Sequence, residues 1–213
     1  MTTEKSVFPK AILFDMDGVL IDSQDAWWKA VNDALSCSQY PTITKKEFAD
    51  NLWGNDFKRT LSYLGVDKKV FQDCKTWPST YLNHVNLKND AVSILSELQE
   101  TYVLALITNT QRFITAQVLN QFQLNSFFKT VVCADDVEKA KPAPDLIYKA
   151  CDSLAVSVSD IVVVGDTTSD FLACKHAGCI MIGVKFDNGG HVVNNLSELP
   201  IELKKITQYR DSL

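Results

Sequence analysis

The sequence predicts an α/β protein built on a parallel sheet, with a small helical unit inserted near its start. Three observations predict it. Beyond about residue 90, short apolar runs alternate with amphipathic stretches, the pattern of successive right-handed βαβ units. Between residues 24 and 88 no strand-like run occurs. The first apolar run, Ile12-Leu13-Phe14, leads directly into Asp15-Met16-Asp17-Gly18, as a strand covered on both faces does where it reaches solvent.

In chain order, the first strand ends at Asp15. Residues 25–35 place Trp27, Trp28, Val31, Ala34 and Leu35 on one helical face. Shorter helices are expected over 45–53, 56–64, 68–74 and 78–84, broken by Pro41, Gly54, Gly65 and Pro78. Linkers fall near 22–25 and 86–90. Helices over 90–100, 114–122, 144–154 and 169–177 then alternate with strands over 103–107, 131–133, 161–164 and 180–182, and a short helix over 196–206 closes the pattern. Residues 1–23 and 89–213 therefore form a core domain, and 24–88 a helical one.

Composition narrows the class. A chain of 213 residues, 46% hydrophobic and 22% charged, is an ordinary globular sequence with room for a core domain and an insertion. Net charge is −5 with bases mixed among acids, so no basic footprint for nucleic acid and no polybasic membrane patch is present. The six cysteines, at 37, 74, 133, 151, 174 and 179, form no Cys-x-x-Cys pair, which points to reduced thiols and a cytoplasmic location. Residues 1–10 carry no apolar signal core, and no apolar run reaches the roughly 18 residues of a membrane span. The three histidines, His84, His176 and His191, show no ligand spacing.

Ligands of open parallel sheets bind outside the carboxyl ends of the strands, so the residues following each run matter most. Asp15 and Asp17 repel each other unless a cation intervenes, and Gly18 permits a turn that brings the second acid back towards the first. A hard metal and a nucleophile would explain the pair; a solvated strand-end turn would too. Thr108-Asn109-Thr110 opens a helix whose free N–H groups suit an anion, or simply caps it. Lys141 is held extended by Pro142. Gly165-Asp166-Thr167-Thr168-Ser169-Asp170 sets two acids on one face of a first helical turn. Lys58 and Arg59, after Gly54, could contact an anionic substrate tail, or form an exposed basic face. Trp27 and Trp28 point roughly 100° apart on their helix, so at most one faces the cleft, and core packing is expected for both.

Together these four strand-end and loop features, in this order, resemble the haloacid dehalogenase superfamily, in its phosphatase branch with a helical cap. The resemblance covers almost the whole chain and implies a Rossmann-like core with residues 24–88 as the cap domain. It implies Asp15 as the nucleophile that forms an aspartyl-phosphate and Asp17 as the acid/base. Mg²⁺ would be held by Asp15, the backbone carbonyl of Asp17, and Asp166. Thr108 and Asn109 would bind the phosphoryl oxygens, with Lys141 neutralising charge on Asp15 and phosphate. Asp170 would orient Lys141 or a metal-bound water from outside the ligand set. Asp17 separates this chain from the dehalogenases, which lack an acid there. Mutases of the superfamily commonly place histidine twelve positions after the nucleophile, where this chain has Trp27. The implied activity is hydrolysis of a small phosphorylated metabolite of phosphoglycolate or sugar-phosphate type, by a monomer or homodimer without nucleic-acid or membrane partners. A phosphosugar mutase and a non-catalytic phosphate-binding module are the alternatives.

Overall fold

The computed structural model describes residues 8–187 and 189–211. Six strands form one parallel sheet: β1 (Ala11–Phe14), β4 (Val103–Thr108), β5 (Thr130–Cys133), β6 (Ile161–Gly165), β7 (Ile180–Val184) and β8 (His191–Val193), in the order β5-β4-β1-β6-β7-β8. β1 is fully buried and pairs on both sides, Phe14 with Leu106 of β4 and with Val164 of β6. Its neighbours on the two sides belong to chain segments running outward in opposite directions, so β1 sits at the switch point of the sheet.

Alternate residues of β1 feed two cores. Ile12 and Phe14 face one, which also takes in the helical insertion; Ala11 and Leu13 face the other, packed under α8 (Asp145–Leu154) and α9 (Thr168–Ala177). On the first side lie α6 (Ala91–Leu98), α7 (Arg112–Gln121) and the terminal α10 (Leu199–Asp211). This double covering explains the continuous apolar reading of the strands.

The insertion comprises α1 (Gln24–Cys37), α2 (Lys45–Asn51), α3 (Phe57–Leu64), α4 (Lys69–Asp73) and α5 (Trp77–His84). Thr44 and Asp56 cap α2 and α3 by accepting from the backbone N–H groups of Glu47 and Arg59, and Gly65 ends α3 in the left-handed conformation. The two linkers are more ordered than expected. They pair as a small antiparallel ladder, β2 (Ile21–Asp22) with β3 (Asn86–Leu87), Ile21 opposite Leu87 and Asp22 opposite Asn86.

Three expectations need correction. Cys37 and Cys74 form a disulfide joining the last turn of α1 to the residue after α4, so only the other four cysteines are free thiols. A bridge across 37 positions has no local spacing signature, which is why a Cys-x-x-Cys search passes over it. Strand β8 was not foreseen, since three residues His191-Val192-Val193 after a glycine pair are too short for a period to register. Trp27 leaves the core to face the cleft, as described below. Among the described residues no helix is long and apolar enough to cross a membrane.

Leu106 is fully buried between β1 and β5. Leu106→Ala should cost about 2–5 kcal/mol of unfolding free energy, the range for a leucine cavity in a packed core, read as a lower urea midpoint at unchanged slope.

Candidate active site

The carboxyl ends of β1, β4 and β6 lie side by side, and each delivers a polar group to one rim. Asp15 follows β1 and continues the ladder, its N–H donating to the Val164 carbonyl at 2.9 Å. Thr108 closes β4 and Asp166 follows β6. Lys141 arrives from the loop before α8 and is almost wholly buried. Its ammonium forms an ion pair with Asp15 Oδ1 at 2.8 Å and donates to Asp170 Oδ1 at 2.6 Å and to the Ile107 carbonyl at 3.3 Å. The sequence set Asp15, Lys141, Asp166 and Asp170 thus meets at one point.

Glycines make room for it. A Cβ on Gly165 would lie 2.6 Å from the Asp170 side chain, so only glycine lets Asp170 fold back under the strand end. There Asp170 Oδ2 accepts from the Thr167 N–H and hydroxyl, closing a capping box on α9. Gly18 has φ +86°, and a Cβ there would overlap the Asp166 carboxylate at 2.0 Å. The turn that the Asp-x-Asp-Gly run implied is therefore also the gap through which Asp166 reaches the rim.

Charge at this point is unbalanced. Oxygens of Asp15, Asp166 and Asp170 lie within 4.8 Å of one another. When ionised, three carboxylates against the single Lys141 ammonium leave two negative charges in a buried cluster. Burial pushes the Asp15 carboxyl up to about 7, with Lys141 opposing and Asp170 adding to the rise. Burial, then the charges of Asp15 and Asp170, hold Asp166 well above the usual carboxylate range. Lys141 is raised, because Asp15 and Asp170 outweigh the cost of burying its charge, so it remains an ammonium. Asp166 Oδ1 is buried and has no hydrogen-bond partner. An orphaned carboxylate oxygen beside an excess of two negative charges fits a hard divalent cation such as Mg²⁺. Asp170 fits the ligand set less well, since Lys141 and Thr167 already occupy its two oxygens.

Asp17 is held differently. Its Oδ1 accepts from Ser23 Oγ at 2.7 Å, Trp27 Nε1 at 2.9 Å and the Tyr81 hydroxyl at 2.9 Å; its Oδ2 accepts from Thr110 Oγ1 at 2.7 Å. Burial and the adjoining Asp17 carboxylate push the Tyr81 phenol well above its usual range, which keeps it a donor. Two of these donors, Trp27 on α1 and Tyr81 on α5, belong to the helical insertion, and their rings pack at 4.4 Å between centroids. Trp28 turns away and donates to the Ile43 carbonyl inside the insertion. That at most one of the pair faces the cleft is borne out; the assignment of Trp27 to packing alone is not. The sequence reading gave no role to Tyr81, Ser23 or Thr110. Only Ser23 and Thr110, adjoining the strand-end motifs, carried a signal that could have found them.

Asn109 spends its side chain on scaffolding. Its Nδ2 donates to the Gly54 carbonyl at 3.0 Å and the Lys141 carbonyl at 2.9 Å, and its Oδ1 accepts from the Lys141 N–H at 2.9 Å. The Thr108 hydroxyl accepts from the Thr110 N–H at 3.1 Å, which leaves its own proton to donate. Gly54, with φ +78°, rests against Thr167, where a Cβ would come within 3.0 Å. The loop between α2 and α3 thereby roofs a cleft, partly open to solvent, whose floor is Asp15, Asp17, Thr108 and Lys141. Lys58 and Arg59 are exposed on α3 and do not line it.

A parallel α/β sheet with a helical insertion after its first strand, and an acid, lysine and acid cluster at the switch point, is the architecture of a class of hydrolases. Residues 12–184 match the family model described as haloacid dehalogenase-like hydrolase, and the chain belongs to that family. It is 27% identical to a phosphoglycolate phosphatase of Neisseria meningitidis, covering 84% of this chain and 82% of the relative. It is also 27% identical to an N-acylneuraminate-9-phosphatase of Rattus norvegicus, covering 92% and 94%. Among solved structures, CbbY from Rhodobacter sphaeroides in complex with phosphate superposes with a TM-score of 0.80 at 20% identity, over 93% of this chain and all of that one.

An acid raised in the folded state binds more protons folded than unfolded. The metal-free protein should therefore lose stability as pH rises from about 4, where the unfolded carboxyl titrates, to about 7. Because ligating carboxylates must be ionised, the rise in melting temperature with Mg²⁺ over EDTA should be larger at about pH 8 than at about pH 5.5. Asp166→Asn should remove most of that rise while leaving the metal-free protein at least as stable. An increment indifferent to both pH and Asp166 would take the metal away from this cluster.

Proposed function

We propose that the protein is a Mg²⁺-dependent phosphomonoester hydrolase that acts on a small phosphorylated metabolite through an aspartyl-phosphate on Asp15. The observation that carries this reading is the buried ion pair of Lys141 with Asp15, beside the partnerless oxygen of Asp166. It supplies a nucleophile, a fixed cation and a vacant ligand atom within one site.

Asp15 attacks phosphorus in line with the leaving oxygen, forming the Oδ–P bond as the ester P–O bond breaks. Lys141 neutralises negative charge on Asp15 and on the phosphoryl group. The Thr108 hydroxyl and the Asn109 backbone N–H donate to phosphoryl oxygens, fixed hydrogen bonds that strengthen as charge develops. Asp17 protonates the departing oxygen, then removes a proton from the water that hydrolyses the aspartyl-phosphate. Asp15, Asp166 and the backbone carbonyl of Asp17 would hold Mg²⁺, which neutralises phosphate charge and orients the group for attack. Asp170 keeps Lys141 charged and in place from behind. The donors from Trp27 and Tyr81 tie Asp17 to the insertion, which acts as a cap excluding water from the site.

The relatives' names offer a phosphorylated two-carbon acid and a phosphorylated sugar acid at equal identity, so they support a monoesterase without choosing its substrate. No observation favours the mutase alternative, whose usual histidine position is occupied by Trp27, committed to Asp17. A cytoplasmic location, among soluble phosphorylated metabolites, belongs to the same proposal.

With Mg²⁺ and a panel of phosphate monoesters, the wild-type protein should release inorganic phosphate. Asp15→Asn, nearly isosteric, should lower kcat by at least about a thousandfold with the melting temperature preserved, since the nucleophile itself is removed. Robust Mg²⁺-dependent turnover by that variant would overturn the assignment.

A further inference from the structure

The cavity above the catalytic rim has an unusual lining for an enzyme that would bind a second anionic group. Its walls are Val31 of α1, Phe48 of α2, Leu52 and Trp53 of the following loop, Phe57 of α3 and Phe71 of α4. Phe48 and Trp53 lie 6.3 Å apart between ring centroids, and Phe57 meets Phe71 edge to face at 5.0 Å. The polar side chains above the rim are uncharged, among them Asn55, Thr60, Gln111 and Thr167. Among the described residues the one cation lining it is Lys141, which lies at the floor and is already bound to Asp15 and Asp170. Lys58 and Arg59, which adjoin Phe57 and Thr60 in sequence, are exposed, and Arg112, which follows Gln111, is paired with Asp136.

Resting on the phosphatase reading above, we infer that the substrate is a phosphate monoester whose leaving group is an uncharged, predominantly apolar alcohol, aliphatic or aromatic. A carboxylate held among these walls would be desolvated without a counter-charge, a heavy penalty. A sugar would set its hydroxyls against walls that are mostly aromatic and aliphatic, and each one left unpaired weakens binding. An apolar body gains from the same walls. Each methylene moved from water into such a pocket favours binding about fourfold, and the aromatic rings accept flat groups edge to face. The phosphoryl end keeps its polar floor, so one cavity offers an ionic site below and an apolar one above. This division matches an amphiphilic monoester better than phosphoglycolate.

The test compares ethyl, butyl and hexyl phosphate with phosphoglycolate and glucose 6-phosphate, all with Mg²⁺. The three alkyl esters have leaving groups of nearly equal basicity, so their differences report the pocket and not the chemistry. The expected kcat/KM rises about fourfold per methylene along the alkyl series, with hexyl phosphate at least about tenfold above phosphoglycolate. A flat alkyl series, or phosphoglycolate equal to or above hexyl phosphate, overturns the inference and leaves the phosphatase reading standing. Should no ester release phosphate, the phosphatase reading fails, and binding still decides the pocket. Hexylphosphonate should then quench tryptophan fluorescence at a concentration at least about tenfold lower than phosphonoacetate, and equal or reversed affinities overturn the inference. Thr60→Arg, which adds a cation at a half-buried lining position, should shift the phosphoglycolate to hexyl phosphate ratio of kcat/KM, or of the corresponding phosphonate affinities, towards the acid. A folded variant with the ratio unchanged counts against it.

Discussion

Everything at the rim depends on burying more negative charge than the protein itself neutralises. Lys141 has lost its hydration and is compensated twice, by Asp15 in front and Asp170 behind. Two carboxylates around one ammonium already exceed neutrality, and Asp166 brings a third with an oxygen that nothing in the chain satisfies. Such a cluster costs folding free energy when every acid is ionised, and the raised pKa of Asp15 and Asp166 records that cost. The surrounding fold tolerates it because β1, β4 and β6 pair rigidly beneath it. The imbalance is what makes the site receptive to a cation.

The insertion is coupled to this rim by a few directional bonds. Asn109 ties the Lys141 backbone to the Gly54 carbonyl, so the lysine's placement and the roof's position share one side chain. Trp27 and Tyr81 reach down to Asp17. Two of the four donors on Asp17 thus come from the insertion, so the orientation of that carboxylate depends on where the insertion sits. Thr167 joins both parts, capping α9 through Asp170 while resting against Gly54.

The sheet was readable because its strands are buried on both faces and therefore apolar throughout, and because glycines and acids mark where each one ends. The family follows from the order of those marks, and the full span of residues 12–184 agrees with it. What escaped were contacts made across long separations. Tyr81 meets Asp17 over 64 positions and carries no local pattern to announce it. Trp27 looked like one more aromatic on an apolar helical face, since periodicity reports which side is buried and not whether a cleft lies there. Cys37 and Cys74 are likewise joined only by the way α1 and the segment after α4 pack. Lys58 and Arg59 were drawn towards the site by sequence proximity to Gly54, but α3 turns them outward and presents Phe57 and Thr60 instead.

The paired linkers have an architectural consequence. Because Ile21 lies opposite Leu87 and Asp22 opposite Asn86, the chain leaves the sheet and returns to it at neighbouring points. To the catalytic scaffold, the whole helical excursion is topologically a hairpin loop. Outside the contacts that Trp27, Tyr81 and Gly54 make with the rim, its length and lining can vary without asking β1 to change its neighbours. The pairing of β1 and the apolar walls above the rim are thereby carried on different stretches of one chain.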